Sequence, residues 1–447
     1  MRKAAFLSIA ALALSACATY RAAPLSDDRA VLAAPVAAIL ARDAAMIDRP
    51  YLTPTTIDLS QPLDANAIAT LAVLANPDLK AQRVRAGVAD AQAFAARLLP
   101  DPTFGIGANK VLSGPDPLLD LASALGLDIN ALRTRGVRLA QAAAAGRQVR
   151  LDLAWAEWQT AGQARIQAVR IIGLERSLAL ALASRDAAQS LLDRNLRAAG
   201  RGDLSADQVQ AARLAALDAQ ERARTAERDL GAARFELAKL LGLPPSTPLR
   251  LAPIAPDAAP PAAEVLFALA QGKRADLQAL EAGYVAQEAA LHKAILDQFP
   301  NLTLTINANR DSAGNALLGP AVDFTLPLWN RNRGGIAIEQ ATRAALKAEY
   351  DARLFQTRAE IAAAVGGIMI ARRQRDALLR DMPVLERFAV ANRRAANRGD
   401  LALATAETAE QALRDKQALL AQSDQDIAEQ AIALELLTGT PKETWPQ

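Results

Sequence analysis

Arg197-Ala-Ala-Gly-Arg-Gly-Asp-Leu204 recurs almost unchanged as Arg394-Ala-Ala-Asn-Arg-Gly-Asp-Leu401, and this pair of octapeptides decides the fold. Three further landmarks repeat in the same order, each pair roughly 200 residues apart. They are Asn76-Pro-Asp-Leu79 with Arg274-Ala-Asp-Leu277, Pro100–Asn109 with Pro300–Asn309, and Arg133-Thr-Arg-Gly136 with Arg331-Asn-Arg-Gly334. Because unrelated segments do not keep one period over four landmarks, the chain is interpreted as a duplicated unit with repeats at residues 63–243 and 263–440.

Each repeat contains two segments with the period-two alternation of β-strands. Residues 301–309 read Asn-Leu-Thr-Leu-Thr-Ile-Asn-Ala-Asn, and residues 321–328 alternate in the same way after a polar loop that contains glycine. The alternation predicts hairpins at about 103–130 and about 302–328, each with an apolar face and a face rich in Thr, Asn and Gly. The residues predicted to lie on the apolar, lipid-facing side are Phe104, Ile106, Leu125, Leu127, Leu302, Leu304, Ile306, Val322, Phe324 and Leu326.

The length of these strands suggests a membrane environment. A tilted membrane strand needs about 9–11 residues, and Phe299 and Trp329 flank the second hairpin where an aromatic belt would lie. Four strands cannot close a barrel, and an open sheet edge cannot face lipid. Membrane strands therefore require an oligomer, and two, three or four copies would all give barrels of known size. A soluble sheet with one solvated face shows the same alternation and is the alternative.

Long stretches with helical composition follow the hairpins, from Gly136 to about Leu196 and from Gly334 to about Arg394. A continuous helix of this length would extend about 90 Å. Gly366-Gly367 and Pro383 are predicted to bend or interrupt the second helix. Each stretch ends at the octapeptide, and Ser205 with Gln208 predicts a capping box for the returning helix. The residues expected to permit the tight turns are Gly200, Gly202, Asn397 and Gly399.

The N-terminus predicts export. Arg2 and Lys3 precede an apolar stretch, so residues 1–16 are interpreted as a signal peptide. Leu14-Ser-Ala-Cys17 resembles the bacterial lipobox, in which the cysteine becomes the lipid-modified first residue, and Cys17 is the only cysteine of the 447-residue chain. We expect acylation there, including palmitate, and Ala18 fits delivery to the outer membrane.

Three segments outside the repeats are assigned by composition. Residues 17–62 are predicted to form an extended strap behind the lipid anchor. The Pro-rich residues 244–262 are predicted to connect the repeats, and residues 441–447 form a C-terminal tail.

Composition argues against several functional classes. The net charge is +3, and no block of Lys and Arg is interleaved with aromatic residues, so no nucleic-acid partner is expected. His292 is the only histidine, and no catalytic, cofactor-binding or metal-binding set of recognisable spacing is present, so an enzyme is not expected. No phosphate-binding loop occurs, which fits a passive role.

The order of helix, hairpin, long helix, turn and returning helix over residues 60 to 440 resembles the TolC-type outer-membrane efflux factors. The sharpest local similarity is Thr325-Leu-Pro-Leu-Trp-Asn-Arg-Asn-Arg-Gly-Gly-Ile-Ala337, at the junction from strand to helix. The lipobox resembles that of the acylated subset of the family.

The resemblance implies a mainly α fold with a small membrane β-barrel. The implied assembly is a homotrimer with a TolC-like trimeric α-barrel and a 12-stranded β-barrel, lipid-anchored in the outer membrane and extending into the periplasm. Its tips would contact a periplasmic adaptor, the membrane fusion protein, which is bound to an inner-membrane pump of the RND type. The implied docking residues are Gly200, Arg201, Gly202, Asp203, Leu204, Asn397, Arg398, Gly399, Asp400 and Leu401.

The gate departs from the family pattern. Leu403 and Ala406 stand where family members often have aspartates, and Asp207 of the first repeat is the gate candidate in their place.

The function expected on this basis is an outer-membrane channel component of a tripartite efflux system, a passive exit duct for small molecules. Two alternatives stay open at this stage. One is a periplasmic, lipid-anchored coiled-coil scaffold with a soluble sheet, and the other is the same duct serving type I protein secretion.

Overall fold

The structure is a computed structural model that describes residues 20–25, 32–33, 35–110, 112–113, 119–253, 259–311 and 313–446. The predicted signal peptide and Cys17 lie outside these residues. The chain divides into two compact units, Met1–Ala34 and Pro35–Gln447, and every element described below belongs to the second.

The duplication is visible in the order of the elements. A helix α1 (Ala37–Ala45) precedes both repeats, so the predicted strap is not extended throughout. The first repeat contains α2 (Ala65–Ala75), α3 (Pro77–Arg97), β1 (Thr103–Lys110), β2 (Leu119–Asp128), α4 (Ile129–Arg133), α5 (Arg135–Gly200) and α6 (Ala206–Leu240). The second contains α7 (Ala263–Lys273), α8 (Ala275–Leu296), β3 (Leu302–Arg310), β4 (Ala316–Phe324), α9 (Arg333–Arg398) and α10 (Leu403–Thr438). A short 3-10 helix, Lys442–Thr444, follows.

The two long helices α5 and α9 have 66 residues each. At the rise of an α-helix this corresponds to about 100 Å. Gly366, Gly367 and Pro383 lie inside α9 and do not interrupt it, so an interruption there is ruled out, and a bend stays a prediction. A proline removes one backbone hydrogen bond, but α9 continues through Pro383 and packs along α10.

Local sequence signals explain where the shorter helices begin. The Asp64 side chain accepts a hydrogen bond from the Ala67 N–H at 2.7 Å and so caps α2. Asn76 caps α3 by accepting from the Leu79 N–H at 3.0 Å, with Pro77 at the first helical position. The predicted capping box of α6 forms, because the Ser205 N–H donates to Oε1 of Gln208 at 3.2 Å.

Each repeat has its own core near the end of its returning helix. Leu71, Leu237 and Leu241 are fully buried in the first repeat, and Leu266, Ile361 and Leu434 are buried in the second. The connector pairs with the start of the first repeat, since the Leu63 N–H donates to the Arg250 carbonyl at 2.9 Å and the Ala252 N–H donates back to the Leu63 carbonyl.

Helices α5 and α10 join the two repeats by close approach. Gly162 faces Leu436, and Gly173 faces Gln425 at distances that leave no room for a Cβ atom. Arg165 forms an ion pair with Glu435 at 2.7 Å across the same contact. The repeats are therefore interlocked halves of one body.

Among the described residues, one helix is long and apolar enough to cross a membrane, by length and composition alone. It is α9, which has an 18-residue window of mean hydropathy 1.2. Within α9, Ile361 and Ile368 lie in the core against Leu434, but only 22% of that window is buried.

Gly242 and Gly439 end α6 and α10 at equivalent positions of the two repeats. Both have left-handed backbones, with φ of 59° and 70°. A Cβ atom at Gly242 would lie 2.3 Å from the Ala75 carbonyl oxygen, and one at Gly439 would lie 3.0 Å from Cα of Arg274. Only glycine tolerates both the positive φ and the short distance to the backbone of Ala75 or Arg274, because it has no Cβ atom.

We expect Gly242→Ala to destabilise the protein by about 1–3 kcal/mol, because it adds both backbone strain and a clash. Gly231→Ala, in the middle of α6 with no described atom near the added methyl group, is the matched control. It should be neutral or stabilising by up to about 1 kcal/mol. Thermal unfolding of the two variants measures the difference, and equal melting temperatures would contradict this account of the turn.

Candidate functional site

The four strands form one antiparallel sheet in the order β1-β2-β3-β4. Phe104 pairs with Leu125, Leu125 with Ile306, and Ile306 with Pro320. Directly paired residues point to the same face of a sheet. The register therefore places the apolar positions of both hairpins on the same face of the four-stranded sheet.

One face of the sheet, the apolar face, carries nearly all of the large hydrophobic side chains. Its apolar members are Phe104, Ile106, Ala108, Leu119, Leu121, Leu125, Leu127, Leu302, Leu304, Ile306, Ala308, Ala316, Leu318, Pro320, Val322 and Phe324, and Lys110, Ser123 and Arg310 share the face. The other face, the small polar face, carries mainly Thr, Asn, Gly, Ala and Asp, with Leu317 as its one large apolar residue.

Nine of the ten residues predicted to share the apolar side do lie together on it, and Leu326 does not belong to the sheet. Strand β4 covers Ala316–Phe324, whereas the sequence predicted a strand at 321–328. The hairpin loop is tighter than expected, because Asp311 accepts a hydrogen bond from the Asn315 N–H at 2.7 Å. Beyond Phe324 the chain turns, and the Leu328 N–H donates to the Leu326 carbonyl at 2.9 Å.

No described part of the chain covers the apolar face. Ile106 is 82% exposed, Phe104 is 70% exposed, and every other large hydrophobic residue of the face is at least one-third exposed where its exposure is given. The short helix α4 touches β3, and the long helices leave the sheet at one end. An exposed apolar surface of this extent indicates an interaction with lipid or with another molecule.

Both edges of the sheet are also open. Within the described residues, β1 pairs only with β2, and β4 pairs only with β3. Each outer edge therefore presents unpaired N–H and C=O groups.

The end of the sheet nearest the helices carries aromatic and basic residues. Phe299 and Trp329 are both exposed, and the Arg133 guanidinium lies 5.6 Å above the Phe299 ring. This arrangement is typical of an interface between an apolar layer and water.

The two octapeptides form equivalent turns at the far ends of α5 and α9. Gly202 and Gly399 adopt left-handed backbones, with φ of 83° and 84°. Gly200 and Asn397, which were predicted to share this role, are the last and next-to-last residues of their helices. In each turn the arginine beside the glycine pairs with the aspartate after it, Arg201 with Asp203 at 2.9 Å and Arg398 with Asp400 at 2.8 Å.

The turn residues proposed for docking lie on the surface. Arg201, Asp203, Arg398 and Asp400 are exposed, and Leu204 and Leu401 are half-buried. Asp207, the gate candidate, is exposed on the first turn of α6. Exposed ion pairs of this kind contribute little to stability, so these residues are available to a partner.

An ion cluster lies near the second turn and was not predicted from the sequence. Arg393 donates to Glu407 at 2.7 Å and to Glu410 at 2.5 Å. Arg414 lies 3.7 Å from Glu410. The hydrogen bond from Arg393 is the main reason that the pKa of Glu410 is below its ordinary value. Leu403 is half-buried and Ala406 is buried, so the carboxylates in this part of α10 are Glu407 and Glu410.

The signal for this cluster was present in the sequence. Arg393 and Glu407 are equidistant from the turn at Asp400, and equidistant residues of a helical hairpin lie opposite each other. At the equivalent positions the first repeat has Leu196 and Gln210, so its hairpin lacks the cluster.

We expect Arg393→Leu, which installs the residue of the first repeat, to loosen the second hairpin. It leaves Glu407 without its cation and Glu410 with only the more distant Arg414, so local opening of residues 393–414 should increase by about tenfold or more. Hydrogen exchange measures this, with residues 196–217 of the same molecule as the internal control. Unchanged exchange in the second hairpin would contradict the role given to the cluster.

The chain was compared with known proteins. Residues 266–440 match the family model for outer membrane efflux proteins. No curated protein gives a match.

Solved outer-membrane proteins share the fold over nearly the full length. The outer membrane protein VceC of Vibrio cholerae is 17% identical with a TM-score of 0.70, covering 84% of this chain and 96% of its own. The CmeC outer membrane channel of Campylobacter jejuni is 14% identical with a TM-score of 0.69, covering 95% of this chain and 94% of its own. A membrane protein of Pseudomonas aeruginosa is 16% identical with a TM-score of 0.71, covering 89% and 98%.

The sequence match lies on the second repeat, and the likeness of fold extends over both repeats. Residues 266–440 are therefore similar to the outer membrane efflux protein family, and the chain as a whole shares the fold of solved outer-membrane channels.

Proposed function

We propose that this chain is the outer-membrane channel of a tripartite efflux system and acts as a passive exit duct for small molecules. The observation that carries the proposal is a four-stranded sheet with an uncovered apolar face, an opposite face of small and polar residues, and two open edges. Lipid accounts for the first face, and a water-filled lumen accounts for the second.

The dimensions support a membrane-spanning sheet. The strands have 8 to 10 residues, close to the roughly 9–11 residues that a tilted membrane strand needs. A soluble scaffold would need a protein layer over the apolar face, and no described part of the chain provides one. The scaffold is therefore the weaker alternative.

The open edges require further copies of the chain. Unpaired backbone groups in lipid cost several kcal/mol each, so β1 of one copy must pair with β4 of the next until the sheet closes. We propose a homotrimer with a 12-stranded β-barrel and a continuous α-barrel below it. The strand number per chain allows it, and the family resemblance favours three copies.

The helices next to the sheet have the same order and the same open edges. Helix α3 packs on α5, α5 on α8, and α8 on α9. Asp90 of α3 pairs with Arg150 of α5 at 3.3 Å, and Glu288 of α8 pairs with Arg343 of α9 at 3.4 Å. The outer edges of this helical layer are therefore α3 and α9.

Both edge helices carry an exposed apolar stripe with the 3-4 spacing of a coiled coil. On α3 and its C-terminal end the stripe is Ala81, Val84, Val88, Ala91, Ala95 and Leu98. On α9 it is Ile338, Ala341, Ala345, Ala348, Ala352 and Phe355. All twelve residues are exposed, with Val84 at 78% and Phe355 at 77%. Stripes of equal length on opposite edges fit a head-to-tail contact between copies, which closes into a ring.

The proposed location is the outer membrane, with the helices extending into the periplasm. Cys17 would be the acylated residue, as the lipobox resemblance implies. Helices α5 and α9, about 100 Å long, would span much of the periplasmic space.

The two turns would be the periplasmic tips. Their exposed residues, at 200–204 and 397–401, would dock a periplasmic adaptor protein of an RND-type inner-membrane pump. The ion cluster around Arg393 would hold the second hairpin in its closed shape until the adaptor binds. Energy for export would come from the pump, since the channel offers only a passage.

Two neighbouring residues of β3 provide a matched test of the membrane sheet. Ile306→Arg places a cation on the apolar face at mid-strand, where the cost is about 2–4 kcal/mol per chain. Asn307→Arg places the same cation on the small polar face. We expect the first variant to be lost from the outer membrane and the second to assemble normally with altered ion selectivity. Equal assembly of both, judged by heat-resistant oligomers in outer-membrane fractions, would count against the barrel.

Cysteine cross-linking tests the contact between copies. Each test variant carries Val88→Cys together with one cysteine on α9, at Ala341, Ala345, Ala348 or Ala352. We expect one or more of these double variants to form cross-links between copies, as a ladder that stops at three copies. Lys347→Cys is the control, because it lies about 100° around α9 from Ala348. If Lys347→Cys gave the ladder and none of the four alanine-to-cysteine variants did, another face of α9 would form the contact between copies.

A further inference from the structure

A groove of about 740 Å³ lies at the junction of the two repeats, away from both the sheet and the tips. Helix α5 and the end of α7 line it, together with residues 49–51 and the chain that follows α10. A volume of this size is in the range of sites for small organic ligands.

Aromatic rings form one wall of the groove. Tyr51 and Trp158 meet edge to face, with their centroids 4.8 Å apart. The Arg274 guanidinium lies 4.8 Å from the ring of Trp155. Leu153 and Leu269 add aliphatic surface. The wall is suited to a flat, apolar ligand body.

The polar groups of the groove favour a negative charge. Glu157 is buried, but Arg49 and Arg83 each contact it at 2.6 Å, so its charge is more than balanced. Burial raises the pKa of this carboxyl, and the hydrogen bonds from the two arginines lower it further than burial raises it, so it stays ionised. Lys273 lines the groove and has no ion-pair or hydrogen-bond partner among the described residues. Arg150, which also lines it, has only a surface pair with Asp90.

One hydroxyl in the wall has no partner. The Tyr51 oxygen is buried and makes no hydrogen bond with any described residue. Burial, followed by the nearby charge of Glu157, raises the pKa of Tyr51, so this group is a neutral donor. A buried donor without an acceptor is uncommon in proteins and indicates that something else supplies the acceptor.

We propose that this groove binds a small amphipathic anion, with a flat apolar body against Trp155 and Trp158 and an acidic group toward Lys273 and the Tyr51 hydroxyl. The site is independent of the barrel and of the tips. Because residues from before, within and after both repeats line it, ligand binding there would tighten the junction between the repeats.

Calorimetry with naphthalenesulfonate as the probe tests the site, using the full-length lipidated protein in nanodiscs and empty nanodiscs as the blank. Naphthalenemethanol, which has the same ring without the charge, is the matched comparison. We expect saturable binding of the sulfonate with one site per chain and at least tenfold weaker binding of the alcohol. Equal affinity for the two probes, or no saturable binding, would overturn the proposal.

Two variants locate the binding on the proposed groups. Lys273→Gln should weaken sulfonate binding about tenfold and leave binding of the alcohol unchanged. Lys239→Gln, an exposed lysine outside the groove, is the control and should change neither. Tyr51→Phe should weaken sulfonate binding while it raises the melting temperature of the free protein, because it removes a buried hydroxyl without a partner. A higher melting temperature with unchanged binding would mean that the hydroxyl has no role in the site.

Discussion

The four-stranded sheet is incomplete within the described part of the chain, and the proposed assembly depends on this constraint. Its apolar face is uncovered, and both of its edges lack a partner in the described chain. Either defect alone could be met by a covering layer of protein or by a further strand. The proposed closure of several copies into a barrel surrounded by lipid would meet both together. The order of the helices below the sheet repeats the order of the strands, so the same closure would serve both layers.

Duplication provides the geometry for this closure. Asn76 of the first repeat donates to the Leu240 carbonyl at 2.9 Å, and Arg274 of the second donates to the Leu437 carbonyl at 3.1 Å. These are equivalent contacts between the start of one helix and the end of the returning helix, made by different side chains. The repeats have diverged elsewhere, since the ion cluster of the second hairpin is replaced by Leu196 and Gln210 in the first. The shared framework is consistent with a symmetric barrel, and the divergence gives the two tips different chemistry.

Much of the fold could be predicted because its signals are local. The period-two pattern of residues 302–306 placed Leu302, Leu304 and Ile306 on one face, and the octapeptides placed both turns. Strand β4 was predicted five residues too late, because the hydrogen bond from Asn315 to Asp311 that shortens the loop cannot be seen in an alternation pattern. Pro383 was expected to bend or interrupt α9, but the helix continues through it.

Features that depend on distant parts of the chain could not be predicted in this way. Glu157 meets Arg49 and Arg83 only after residues far apart in the sequence come together, and the groove beside them has no motif. The same holds for the sheet edges, since no sequence pattern shows that β1 and β4 lack a neighbour.

Planar-bilayer conductance of the purified, lipidated protein, together with its mass in detergent, tests the central claim most directly. The account predicts a species of three copies that conducts ions across the bilayer. A species of one copy that is soluble without detergent and does not conduct would contradict it.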